Sequence, residues 1–444
     1  MSEGPQAPSL LPAWKPPRPR GDQAYHFIFA DTNKRKESPM FRLLIPLLLL
    51  NACATADWPQ WRGPQRDGQI ADFAAPTTWP DSLHLQWRTE VGRGDASPVV
   101  GDGRVFVHTR RGEEELVSAL NLENGQLLWQ DTYGEVPYQW ATHHADERGK
   151  GPFATPALAD GILYTYGVTQ VLSAYKADSG QVLWRHRLEQ TLPFGTSASP
   201  IVVDGMVIVH VGDGKVGPLT AFDGQTGATV WTWEADGPSY ASPIIGTWEG
   251  TRQLVLLTFE HCIALDPATG TLLWQIPFPH PWEENIPTPL RHGDHIILTA
   301  LERGTMAFHP TRSDSGWVAN PLWHNPDLWM YTNSPVLHGD LLYAFSTQRK
   351  GQFFCLDARS GKTLWATQGR QGDYSSLLSA GDVLFSLDND ATLQVIEPSS
   401  TAWKTLAQYT VANSPTWAHP VILGDRLLVK DATGLYLWKL PKGG

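Results

Sequence analysis

One frame of eleven residues recurs along the chain and restricts its fold more than any other feature. It is clearest at Ala264-Leu265-Asp266-Pro267-Ala268-Thr269-Gly270-Thr271-Leu272-Leu273-Trp274, a strand ending in Asp, a tight turn closed by Gly, and a second strand carrying Trp. Ala221, Asp223, Gly227 and Trp231 repeat the spacing. So do Ala119, Asn121, Gly125 and Trp129; Ala174, Lys176, Gly180 and Trp184; and Cys355, Asp357, Gly361 and Trp365. Self-similarity at a fixed period marks a solenoid or a propeller, in which each unit buries its apolar face only against its neighbours.

Each position in the frame has a physical job. Ala or Cys suits a strand that neighbouring units crowd. Asp or Asn bonds the backbone of its own turn, and Gly supplies the positive φ the turn needs. Trp brings a large apolar area and one N–H that wants a partner, which suits a seam between repeats. Core packing is therefore the expected role of these tryptophans, ahead of stacking on a ligand.

A second signal counts the units. Ser or Thr followed by Pro opens an apolar strand at Ser97-Pro98, Thr155-Pro156, Ser199-Pro200, Ser242-Pro243, Thr288-Pro289 and Ser334-Pro335, with degenerate versions at Ser375-Ser376-Leu377 and His419-Pro420. Proline is tolerated at the first position of a strand, where its missing N–H breaks no ladder. Each unit then reads as four strands, which repeated radially make a β-propeller. The last unit stops at its third strand, Gly434 to Leu440, while Leu83 to Val91 resembles a Trp strand with no partners of its own. One surplus strand and one deficit predict an all-β, eight-bladed propeller of four-stranded antiparallel blades, its ring closed by an N-terminal strand completing the C-terminal blade. The fifth and seventh repeats, around Met306 to Trp323 and Leu393 to Trp403, lack the standard turn. The turn-rich opening Asp57-Trp58-Pro59-Gln60-Trp61-Arg62-Gly63-Pro64 reads as an arm lying across the fold.

Upstream of that arm the composition changes. Residues 1–39 are Pro-rich and polar, either a disordered extension or an over-long start to the reading frame with Met40 as the true first residue. Residues 40–56 combine Arg42, the apolar run Leu43 to Leu50 and small residues, as a secretory signal peptide does. Two cleavage readings stand side by side. Leu50-Asn51-Ala52-Cys53 resembles a lipobox that would leave a lipidated Cys53, and Ala54-Thr55-Ala56 suits ordinary cleavage before Asp57. Both predict export. Cys262 and Cys355 then remain, in repeats two apart, and are expected as free buried thiols. Beyond residue 56 the net charge is −14, which excludes the basic footprint of nucleic-acid binding.

The Ala-x-Asp-x3-Gly-x3-Trp frame resembles the repeat of pyrroloquinoline-quinone (PQQ) propellers, a family shared by quinoprotein alcohol dehydrogenases and the non-enzymatic outer-membrane assembly lipoprotein BamB. The likeness covers nearly all of residues 57–440, and the opening from Asp57, with Asp67-Gly68, further resembles a secreted bacterial BamB-like group. One propeller hosts many functions, so the repeat speaks for fold far more than for activity. For a dehydrogenase the resemblance implies PQQ, a Ca²⁺ held by oxygen ligands including Glu and Asn, a carboxylate base, a flat aromatic under the quinone and a disulfide between adjacent cysteines. This chain has no adjacent cysteine pair. The acids the repeat places sit in outer turns, at Asp223, Asp266 and Asp357.

The expectation is accordingly an exported, monomeric, non-catalytic module of the cell envelope that binds an envelope protein or a small ligand, with no cofactor. The alternatives are a PQQ- and Ca²⁺-dependent alcohol-type dehydrogenase and a carbohydrate-binding propeller. Candidate ligand or partner residues fall in two groups. Tyr138, Trp140, His143, His144 and Asp146 belong to the one long insertion, Gln130 to Lys150, and a binding loop over one mouth of the ring is its best use. Tyr240, Asn285, Trp329, Tyr331, Asn333, Tyr374, Trp417 and His419 lie just before or within inner strands and are placed at the channel mouth. No metal site is expected.

Overall fold

The computed structural model describes residues 57–70, 72–134, 150–188, 190, 192–280 and 284–443. Eight four-stranded antiparallel sheets account for the described strands, one of them extended by a short fifth strand. Their inner strands are Val99–Gly101, Ala157–Ala159, Ile201–Val203, Ile244–Trp248, Leu290–His292, Val336–His338, Ser375–Ala380 and Val421–Leu423, here blades one to eight in chain order. The eighth blade owns only three consecutive strands. Its fourth is His84–Glu90, laid antiparallel on Gly434–Lys439 with His84 opposite Lys439 and Glu90 opposite Gly434. The ring is thus closed by the two ends of the chain, as the surplus strand predicts.

The frame residues do the work their chemistry suggests. Ala119, Ala174, Ala221, Ala264 and Cys355 are fully buried. Asp266 Oδ1 accepts the Ala268 N–H at 2.8 Å, and Asp223 Oδ1 accepts that of Thr226 at 2.8 Å. Most tryptophans of the frame cross to the next blade. Trp129 Nε1 donates to Ala177 O (3.0 Å), Trp184 to Gly224 O (2.9 Å), Trp231 to Pro267 O (3.1 Å) and the orphan-strand Trp87 to Leu122 O (2.9 Å). In these four the acceptor is the carbonyl one residue after the frame Asp, Asn or Lys, while Trp365 donates to Ser399 O of blade seven (2.9 Å). Trp274 has no such acceptor, because blade five carries a long hairpin, Gly304–Ser313 and Gly316–Asn325, in place of the turn; its N–H goes to Gln253 Oε1 in its own blade (2.7 Å). Burying an indole contributes about 4–6 kcal/mol of gross transfer free energy, so these seams are a main source of blade-to-blade cohesion. Cys262 and Cys355 are free and buried.

The Ser/Thr before each Pro has a second job. The Ser97 N–H donates to Thr155 Oγ1 (3.2 Å), Thr155 N–H to Ser199 Oγ (3.0 Å), Ser199 N–H to Ser242 Oγ (3.0 Å) and Thr288 N–H to Ser334 Oγ (3.1 Å). The His419 N–H bonds Ser97 Oγ (2.9 Å) and carries the chain of bonds across the closing seam. Small hydroxyls line the axis because each satisfies a backbone donor of the blade before it.

The arm then crosses this ring. Trp58 exchanges both backbone bonds with Val100 of blade one at 2.9 Å, and Pro59 O accepts the Leu158 N–H of blade two at 2.7 Å. Arg66 reaches Ser199 O (3.1 Å) and Pro200 O (3.0 Å) in blade three, Trp61 Nε1 donates to Thr288 Oγ1 in blade five (2.9 Å), and Arg62 bonds Pro335 O in blade six. Gln69–Ile70 pairs in parallel with Ser379 and Ala380 on blade seven. Burial pushes the Arg62 and Arg66 guanidinium pKa values down to about 10 and about 9.

Candidate functional site

The loops that lead into the inner strands meet on the axis and enclose a cavity of about 290 Å³. Every blade contributes to its wall, and Trp61 of the arm joins them. The position three residues before the strand-opening Pro recurs in that wall, as Asp95, Phe153, Ser197, Tyr240, Ile286, Thr332 and Trp417. A backbone entering each blade in the same way aims the same position inward. That periodicity was available in the sequence and would have found Phe153 and Asp95, which residue type alone does not single out.

Of the residues expected at the mouth, Tyr240, Tyr331, Tyr374 and Trp417 line the cavity. Phe194 stands edge-on to Tyr240 with ring centroids 5.9 Å apart, and Tyr374 packs against Trp417 at 5.3 Å. The other four do not reach the wall. Asn285 is buried and spends its Nδ2 on Thr258 O (3.0 Å) and Phe278 O (3.0 Å), while its Oδ1 is buried without a partner. Asn333 is buried and donates to Ser375 O. Trp329 is half-buried outside the lining. His419 lies edge-on to Trp61, centroids 5.5 Å apart, and burial, with Arg62 beside it, holds its pKa down to about 3. Tyr138, Trp140, His143, His144, Asp146 and Cys53 lie outside the described residues.

Acids do reach the axis, although the repeat pattern places them only in outer turns. Glu284 is 9 % exposed and accepts the Tyr331 hydroxyl, and Asp95 joins the wall from blade one. They come from blades one and five, opposite each other in a ring of eight. The described lining contains no Lys or Arg.

Among the described residues, the wall presents no complete donor set for PQQ with Ca²⁺. Ca²⁺ takes about six to eight oxygens from convergent groups. No group of three or more His, Cys, Asp or Glu among the described residues is arranged to hold a metal ion, and Asn285 spends its amide on the Thr258 and Phe278 carbonyls. PQQ is a tricarboxylate, and the described wall offers it no cationic side chain.

Fold and site together define a closed eight-bladed propeller with an aromatic axial cavity and an arm across its channel. The chain belongs to the family described as outer membrane protein assembly factor BamB, whose model matches residues 113–367 and 335–440. It is 24% identical over 372 residues to the outer membrane protein assembly factor BamB of Yersinia pestis, covering 79% of this chain and 77% of that one. It is also 29% identical over 273 residues to methanol dehydrogenase (cytochrome c) subunit 1 of Methylobacterium organophilum, covering 55% of this chain and 41% of the enzyme. Among solved structures, the quinohemoprotein alcohol dehydrogenase of Comamonas testosteroni is similar with a TM-score of 0.65 at 15% identity, covering 89% of this chain and 83% of that one.

Proposed function

We propose that this protein is an exported, non-catalytic propeller of the bacterial cell envelope that acts as a binding or scaffold module. One observation carries the reading: the axial cavity has an aromatic wall with no cationic side chain and no convergent metal-ligand set among its described residues. The described part of that wall suits recognition and offers a quinone–calcium pair no set of anchors. Family membership agrees with it, since the Yersinia relative is named for outer-membrane assembly. The partner is an envelope protein or a small ligand. The protein reaches the envelope through residues 40–56, either anchored by a lipidated Cys53 or cleaved before Asp57.

The rival reading is a PQQ-dependent dehydrogenase, and a titration separates the two. Trp61 and Trp417 in the wall report on any occupant of the cavity. Adding PQQ and Ca²⁺ to the purified protein is expected to give no saturable tryptophan quenching and no dye reduction when alcohols follow. Tight, calcium-dependent quenching together with dye reduction would overturn the proposal.

A further inference from the structure

We infer that a second cavity, at the seam between blades one and two, binds a small zwitterion of the amino-acid or dipeptide class. It has no described lining residue in common with the axial cavity, so the inference stands apart from any use of the axis. The frame turn of blade two supplies the first part of the argument. Asn121 and Asp357 hold their own turns, with Asn121 Oδ1 accepting the Glu123 N–H and Asp357 Oδ1 that of Ser360, each at 2.9 Å. Blade two has Lys176 at that position. An ammonium only donates, so it cannot hold the turn in this way. Backbone bonds close the turn instead, the Gly180 N–H giving to Lys176 O at 2.9 Å. The Lys176 ammonium lines the cavity and makes no hydrogen bond or ion pair among the described residues.

The seam itself supplies the second part. Arg426 opens the second strand of blade eight and meets Glu123, two residues past the frame position of blade one, at 2.7 Å. Arg104 and Asp178 occupy the same two positions one seam further on. There no ion pair joins them among the described residues, and a cavity of about 310 Å³ has both in its wall, together with Lys176 and Asp102. Phe106 and Ala177, both buried, give the wall an apolar part. Two cations and two carboxylates at one cavity disfavour a simple anion and a simple cation alike, because each meets two like charges. A molecule with both charges satisfies both sets. Its carboxylate pairs with Arg104 and Lys176, its ammonium with Asp102 and Asp178, and an apolar side chain packs on Phe106. The volume is at the lower end for ligand pockets, as a molecule of this size needs. Lys176, Asp102 and Asp178 are exposed, so each charge pair is modest and salt weakens it.

The test titrates the purified protein with L-leucine, L-phenylalanine and glycyl-L-leucine at low salt, read by calorimetry and ligand-observed NMR. N-acetyl-L-leucine, which lacks the ammonium, and L-leucinamide, which lacks the carboxylate, run beside them. At least one of the three zwitterions is expected to bind, and each blocked leucine to bind about fivefold more weakly than leucine or worse. Lys176→Gln should weaken the zwitterion about fivefold through loss of one charge partner. Lys176→Asp should weaken it at least about tenfold, because it also sets a like charge against the ligand carboxylate. The same substitution restores the acceptor that the other frame turns use, so its melting temperature should equal or exceed the parent's, which separates lost binding from lost folding. The inference fails if none of the three zwitterions binds, or if either blocked leucine binds as tightly as leucine. It fails equally if Lys176→Gln and Lys176→Asp, both folded, keep the parent's affinity.

Discussion

His419 and His210 are imidazoles in places that resist a positive charge. His419 is 5 % exposed, and burial, then Arg62, lower its pKa to about 3. His210 is 7 % exposed, with its Nε2 near Asp236 O at 3.1 Å, and burial lowers its pKa to about 4. An unfolded histidine titrates near the ordinary value of 6.5. Between that value and the folded one, the unfolded chain binds the proton and the folded chain does not. Stability is therefore full above about pH 6.5 and falls as pH drops toward the folded values. By pH 4.5 each residue has withdrawn about 2–3 kcal/mol. The His419→Asn variant removes one of these terms. Urea denaturation at pH 7 and pH 4.5 should show a loss between the two smaller by about 2 kcal/mol in the variant than in the parent. Equal losses would mean that the burial of this ring is not linked to a proton.

At the scale of the element, the seam unites a turn on one blade with an indole on the one before it. A Cβ added to Gly270 would stand 2.5 Å from Trp231, and Gly270 has φ +70°. Gly103 has nearly the same φ, +71°, with nothing within 4 Å of its added Cβ. The pair separates backbone strain from steric exclusion. Gly103→Ala should cost about 1 kcal/mol, and Gly270→Ala about 2 kcal/mol more, because Trp231 must leave its place and its bond to Pro267 O. Equal costs in thermal melts would remove the seam from the account of why the frame carries Gly. This frame is why so much of the fold was legible. Asp, Gly and Trp in the turn are fixed by local bonds and nearest-neighbour packing, and Ser/Thr-Pro marks each inner strand, so short spacings in the sequence carry the architecture. The cavity was less legible because it is a sum over all the blades. Tyr240, Tyr331, Tyr374 and Trp417 could be picked out by residue type. Glu284 lies outside the repeat register, Phe153 needs the Pro-based register to be noticed, and Trp61 reaches the axis only because a distant arm crosses it. Asn285 and His419 stand at the right places in the chain but turn into the wall, since neighbouring carbonyls and the buried face of Trp61 claim them.

For the whole molecule the decisive contact is between the ends. Most seams join consecutive blades, whose loops already hold them near each other. The last blade instead gathers a strand from residues 84–90 and pairs it with residues 434–439, so the unfolded chain must close a very long loop to form it. The arm adds a second restraint, with bonds to blades one, two, three, five, six and seven. Loss of the terminal pairing opens an edge on blade eight and frees the segment that leads into blade one, so the ring should yield there before its interior seams do. A covalent bond across this ladder tests that order. His84 and Lys439 are directly opposite, and cross-strand partners in an antiparallel pair lie at a separation that a disulfide can bridge. The double variant His84→Cys with Lys439→Cys, oxidised, should resist unfolding more than its own reduced form, by up to about 5 kcal/mol in the chain-entropy view of so long a loop. Hydrogen exchange should show the gain concentrated in strands 84–90, 426–430 and 434–439. If oxidised and reduced forms unfold alike and exchange is unchanged there, the weak point of the ring is elsewhere, and closure by the N-terminal strand contributes topology without governing stability.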